Sequence, residues 1–147
     1  MSFSLSFLSG QAVGTGWRKM NPGLMGKSEM IVREEDMVSR TGEVTLAALS
    51  TPRLIKLLES SAVAAIQGFI GLDQISLGTS LKVRHLAATP LGMRVTAHAV
   101  LKEVDDRRLV FWIDAHDELE KVAEGEHERI LVSRERFINK VEKKKAR

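Results

Sequence analysis

An α+β fold is predicted for this chain of 147 residues, on three observations. A single long helical pattern occupies residues 51–67. From Ile75 to Ser133 the hydrophobic period is two, interrupted by hairpin turns. No internal repeat or alternating βαβ order is present, so the strands form an antiparallel meander packed against the helix.

The elements follow in order. After the turn signal Asn21-Pro22-Gly23, residues 26–33 read as a strand centred on Met30, Ile31 and Val32. Residues 34–50 are mixed, and a short helical or irregular connection is expected. Thr51-Pro52 announces the helix, with Thr51 as N-cap and proline at the first helical position. Gly68 stops it. In the next strand Ile75, Leu77, Thr79, Leu81, Val83 and His85 are expected to share one face, with Lys82 and Arg84 on the other. Thr89-Pro90-Leu91-Gly92 turns into a strand over 93–104, Asp105-Asp106 closes a hairpin, and 107–114 returns. Asp117-Glu118 turns again, and 121–133 is a last long strand in which Gly125 suggests a bulge.

On a helical wheel with Ile55 at 0° and ~100° per residue, Leu58, Ala62, Ile66 and Phe69 fall within ~60° of it. Leu57 and Ala64 lie opposite, and only Lys56, Ser60 and Gln67 make a polar strip. A helix so nearly apolar all round is expected to be mostly buried.

Composition narrows the chemistry. The chain is 44% hydrophobic and 28% charged, enough apolar residues for one core. Zero cysteines exclude disulfides, thiolate metal sites and a cysteine nucleophile. Of the formal charge of +3, the basic tail 140–147 holds a net +4 and residues 1–19 a net +2, leaving −3 on 20–139. The globular part is mildly acidic. With seven aromatics and no tyrosine, a stacking platform for nucleic acid is not expected, and the tail reads as a solvated end. No segment approaches the ~20 apolar residues of a membrane span. Residues 1–19 have their first charges after their apolar residues, unlike a signal peptide. They are expected to be an appendage, and the location cytoplasmic. With neither an H-x-x-x-H spacing nor a carboxylate-rich loop, no metal site or cofactor is expected.

Three positions stand out. Glu59 falls at ~40° on the wheel, inside the apolar stripe. A buried, unpaired carboxylate costs several kcal/mol, so it must be protonated, paired or lining a wet pocket. His85 has the inward phase of its strand; it is either a satisfied core histidine or, with Glu59 as its partner, general-base machinery. Thr51 has an adequate role as a cap, yet its hydroxyl stands where helix N–H groups stabilise negative charge. His127 and Arg129 share a face of the last strand, opposite Glu128, as in a cross-strand ion pair. His98 and His116 are out of phase with the inward sets and belong to a surface or interface.

The run Thr51-Pro52-Arg53-Leu54-Ile55-Lys56-Leu57-Leu58-Glu59 resembles hotdog-fold thioesterases of the fluoroacetyl-CoA thioesterase-like family. The resemblance continues through Ser76-Leu77-Gly78-Thr79, His85-Leu86-Ala87-Ala88-Thr89-Pro90-Leu91-Gly92, His127-Glu128-Arg129 and Arg136-Phe137, and covers 20–139. It implies a sheet wrapped around a long helix, and a homodimer or higher oligomer with active sites at the subunit interface. It also implies an acyl-CoA substrate, with Thr51, Glu59 and His85 as the catalytic set. Gly78 matches a pocket glycine and Arg129 an arginine near the active site. The fluoroacetyl-specific pattern has aromatics before the helix that close over the acyl group; residues 41–50 have none, which implies a different acyl thioester. The alternatives are a non-catalytic hotdog module that binds acyl-CoA, and a hotdog hydratase, whose Asp-plus-His dyad is not evident.

Overall fold

The computed structural model describes residues 19–38 and 46–147. The appendage expected over 1–19 lies, but for Lys19, outside the described residues, as do positions 41–45. Five strands make one antiparallel sheet: β1 (Met25–Ile31), β2 (Gln74–His85), β3 (Arg94–Asp105), β4 (Arg108–His116) and β5 (Lys121–Ser133), in spatial order β1-β3-β4-β5-β2. Helix α1 (Thr51–Ile66) lies across the concave face and α2 (Arg134–Lys145) follows β5. The α+β hotdog architecture is thus present, a curved antiparallel sheet around one long helix.

Each element has a local cause. β3, β4 and β5 bury alternate residues, so Val95, Ala97, Ala99 and Leu101 meet Leu109, Phe111, Ile113 and Ala115 in one core beneath α1. The helix contributes Leu54, Leu57, Leu58, Ala62, Ala65 and Ile66 to that core. β1 can lie directly on α1 because Gly26 has no Cβ; an added one would collide with the backbone of Ser61 and Ala65. Asp106 adopts a φ of 58° in the β3–β4 hairpin, a conformation aspartate tolerates in tight turns. At the next turn Asp117 Oδ1 accepts from the N–H groups of Leu119 (2.8 Å) and Glu120 (2.9 Å).

Several expectations are corrected. The helix begins at Thr51, and Ser50 is its N-cap, accepting from the Arg53 N–H at 3.3 Å. The helix is not buried all round: the sheet covers one side, while Lys56, Ser60, Val63 and Ala64 remain exposed. Gly68 falls inside a 3-10 turn, Gln67–Phe69, that extends the helix. The register passes through Gly125 without a bulge. Bulges instead lie between Gly78 and Ser80, between Leu101 and Glu103, and at Ala115/His116. The first of these re-phases β2. Before it, Ile75 and Leu77 pair with Val132 and Ile130 on the outer face; after it, Leu81 and His85 pair with His127 and Ala123 on the inner one. The expected single face from Ile75 to His85 is therefore split at Thr79.

A helix also follows Ser133, where none was expected. Ser133 caps it through the Arg136 N–H (3.3 Å) and the Arg134 N–H donates to the Asp73 carbonyl (2.9 Å). The basic residues 140–145 continue this helix, with lysines in its last turn, where the helix dipole favours cations. Among the described residues no helix is long and apolar enough to cross a membrane.

Candidate active site

The start of α1 is held from outside. Asp36, buried in the 3-10 turn Glu34–Asp36, accepts from the Arg33 N–H (2.9 Å) and from Arg53 Nε (3.0 Å). The Asp36 carbonyl accepts from the Ser50 N–H at 2.8 Å, and the Leu49 N–H donates to Thr89 (2.8 Å). Because Ser50 supplies the cap, the Thr51 hydroxyl is released for another partner. That partner is His85: Thr51 Oγ1 and His85 Nδ1 are 2.8 Å apart. His85 Nε2 is buried with no hydrogen-bond partner among the described residues.

Two turns further along α1, Glu59 joins a second cluster. Its carboxylate lies 3.7 Å from Arg129 NH1 and 4.0 Å from His127 Nε2. Arg129 is fully engaged, donating from Nε to Ser76 Oγ (2.9 Å), from NH2 to the Ser76 carbonyl (3.0 Å) and from NH1 to His127 Nε2 (3.0 Å). His127 Nδ1 is 2.9 Å from the Ser80 carbonyl, so it carries the proton and donates. The histidine is thereby neutral. Burial, with the imidazole stacked at 6.2 Å on Phe111, pushes its pKa below the ordinary histidine value. The Ser80 carbonyl opposes that shift, Arg129 adds to it, and Glu59 opposes it. Burial likewise lowers the Arg129 pKa, against the pull of Glu59.

Gly78 is the lid of this cluster. A Cβ there would stand 2.9 Å from Glu59 Oε2, 3.2 Å from His127 Cε1 and 3.4 Å from Arg129 NH1. Beside it a groove of about 350 Å³ runs along the open side of α1, lined by Lys56, Glu59, Ser60, Val63, Ala64, Gln67 and Arg129.

The sequence-derived residues thus fall into two stations. Thr51 and His85 meet at the helix start; Glu59, Gly78 and Arg129 meet lower down. Eight residues of helix separate Thr51 from Glu59, a rise of about 12 Å. Within one chain the expected Glu59–His85 pair is not among the contacts of the described residues, and Glu59 is paired with Arg129 and His127 instead. Nor is Glu59 buried: its side chain is 38% exposed, at the margin of the apolar stripe. Ser76 and the Ser80 carbonyl were not anticipated, because a backbone acceptor leaves no mark in a side-chain pattern. Asp36 could have been suspected as an acid three residues after Arg33, but its reach to Arg53 is a tertiary matter.

The chain and its fold are similar to known proteins. The model of the fluoroacetyl-CoA-specific thioesterase family FlK matches residues 32–135. A fluoroacetyl-CoA thioesterase from Streptantibioticus cattleyicolor is 38% identical over 95 residues, 65% of this chain and 68% of the relative. Among solved structures, a point mutant of the fluoroacetyl-CoA-specific thioesterase FlK superposes with a TM-score of 0.80 at 31% identity, covering 86% of this chain and 98% of that one. A thioesterase superfamily member from Thermus thermophilus has the same fold, with a TM-score of 0.82 at 23% identity, covering 88% and 96%.

Proposed function

The chain belongs to the fluoroacetyl-CoA-specific thioesterase family, and on that premise we propose that it hydrolyses an acyl-CoA thioester through Thr51, His85 and Glu59. The observation that carries this reading is the 2.8 Å contact between Thr51 Oγ1 and His85 Nδ1 at a helix N-terminus. His85 Nδ1 accepts the proton of the attacking oxygen, Thr51 Oγ1 or a water in its place, as that oxygen adds to the thioester carbonyl. Negative charge developing on the carbonyl oxygen falls beside the positive end of the α1 dipole or beside Gly78. The imidazolium then protonates the departing CoA thiolate, and water completes the conversion to carboxylic acid and CoA.

A homodimer completes the site in this reading. β2 is a twelve-residue edge strand whose residues Gly78–Lys82 are exposed, and Leu81 presents 37% of its surface. Such an edge invites pairing. Antiparallel pairing with a second copy, with a two-fold axis near Leu81, would bring His85 of one chain opposite Leu77 and Gly78 of the other. The orphaned His85 Nε2 would then face a second copy's Glu59. Gly78 and Arg129 shape the pocket and hold the carboxylate. The acyl group is proposed to differ from fluoroacetyl, since residues 41–50 contain no aromatic. A cytoplasmic location fits acyl-CoA as the substrate.

The test is a panel of short and long acyl-CoA esters with free-thiol detection. The wild type is expected to release CoA, and Thr51→Ala, His85→Ala and Glu59→Ala to fall by about 10²–10⁴. Release by the wild type no faster than by these variants overturns the assignment.

A further inference from the structure

On the outer face of the sheet, away from α1, three potential metal ligands converge from two strands. His98 on β3 and Asp114 on β4 are direct cross-strand partners, and His116 stands two residues beyond Asp114 on the same face. One ligand atom from each lies within 4.8 Å of the others. Asp114 Oδ1 is the hub, 3.6 Å from His98 Nδ1 and 3.8 Å from His116 Nδ1. Both separations exceed hydrogen-bond length, and this buried oxygen has no hydrogen-bond partner among the described residues. We propose that His98, Asp114 and His116 bind one divalent transition-metal ion.

The spacing supports the assignment. With metal–ligand bonds of about 2.0–2.2 Å, neighbouring ligand atoms stand roughly 3–3.5 Å apart. Closing the two aspartate–histidine distances takes a few tenths of an ångström, and drawing together ligand atoms spread over as much as 4.8 Å takes rotamer changes of the two half-exposed histidines. Two imidazoles and one carboxylate select a borderline ion such as zinc, cobalt or nickel over calcium or magnesium, which prefer all-oxygen sites. Of the nearby cations, Lys27 pairs with Glu29 at 3.5 Å, while Lys121 bonds Glu124 at 2.7 Å and also lies within electrostatic reach of Asp114. Three protein ligands leave a position open to water. Bound there, the ion clips β3 to β4 from the side opposite the thioesterase groups. Residues 98, 114 and 116 form no linear motif that sequence reading could single out; only strand pairing assembles them.

The experiment is a titration of the metal-free full chain with Zn²⁺ by calorimetry and with Co²⁺ by visible absorption, each against excess Mg²⁺. One ion per chain is expected, with cobalt bands in the visible. Binding should weaken at least roughly tenfold in His98→Gln, His116→Gln and Asp114→Asn, since losing a ligand should cost no less than losing an outer partner. His85→Gln should retain wild-type affinity. The proposal is overturned if the double variant His98→Gln/His116→Gln binds as tightly as the wild type, if His85→Gln abolishes binding, or if Mg²⁺ displaces the ion.

Discussion

Arg129 NH1 donates to His127 Nε2 at 3.0 Å, two residues away on the same strand, and so denies that nitrogen a proton. Burial acts in the same direction, and the His127 pKa is depressed in the folded chain. Between that depressed value and the unfolded value of about 6.5, the unfolded chain binds the extra proton and the folded one does not. Stability is therefore fully present above about pH 6.5 and is lost as pH falls toward the folded pKa. Urea unfolding between pH 5 and 8 should show this slope, and His127→Gln should flatten it. An equal slope in both proteins would contradict the account.

On the proposed function, capping and chemistry fall on adjacent residues, Ser50 and Thr51, so they can be separated. Ser50→Ala should cost about 1 kcal/mol of stability while activity stays within a few-fold. Thr51→Ala should leave the denaturation midpoint nearly unchanged while hydrolysis falls by about 10² or more. Measuring both variants by denaturation and by free-thiol release checks the crossover; a stability loss confined to Thr51→Ala would return the capping role to that residue.

Asp36 positions Thr51 from a distance. Asp36→Ala strands the Arg33 N–H and Arg53 Nε, with an expected loss of about 1–3 kcal/mol. Activity should fall through kcat with little change in KM. Asp36→Asn, which keeps one acceptor, should recover part of both.

Gly78→Ala tests the lid over Glu59. The nearest atom to the new Cβ is the carboxylate end of a flexible side chain, so stability should change by less than about 1 kcal/mol, below the range for overpacking a rigid core. The displaced carboxylate should nevertheless lower kcat/KM several-fold. A large stability loss with normal turnover would show that the contact is purely structural.

If each site takes His85 from one chain and Glu59 from another, two inactive variants will complement. Mixing His85→Ala with Glu59→Ala and allowing subunit exchange should restore about a quarter of wild-type activity, since half the dimers would be mixed and each would have one intact site. Absence of any recovery, with exchange demonstrated by native mass spectrometry, places the whole site in one chain.

Much of the architecture is legible in the residue pattern. The helix at 51–66 and the strands β2 to β5 follow from periodicity and turn residues, because burial on one face imposes that pattern directly. α2 escapes it: Arg134, Arg136 and Lys140 leave only a weak apolar stripe around Phe137, and the helix is held by its Ser133 cap. Thr51, Glu59 and His85 could be singled out as polar residues in apolar phase or at a helix start. Their partners could not. That Ser50 rather than Thr51 caps α1 depends on one backbone turn, and the engagement of Glu59 by Arg129 depends on a strand register that side-chain spacing does not encode.

The extra residue at Thr79 has one more consequence. Gly78 and His85 are seven positions apart, an odd number, and in an unbroken strand they would stand on opposite sides of the sheet. The irregularity between Gly78 and Ser80 makes the effective count even, so the glycine over Glu59 and the histidine beside Thr51 both look toward α1. Deleting Thr79 would leave six positions, an even number, and keep both residues on the inner face, whereas straightening the strand at its present length would turn one of them to the outside. For this fold, parity decides whether Gly78 and His85 face the helix together.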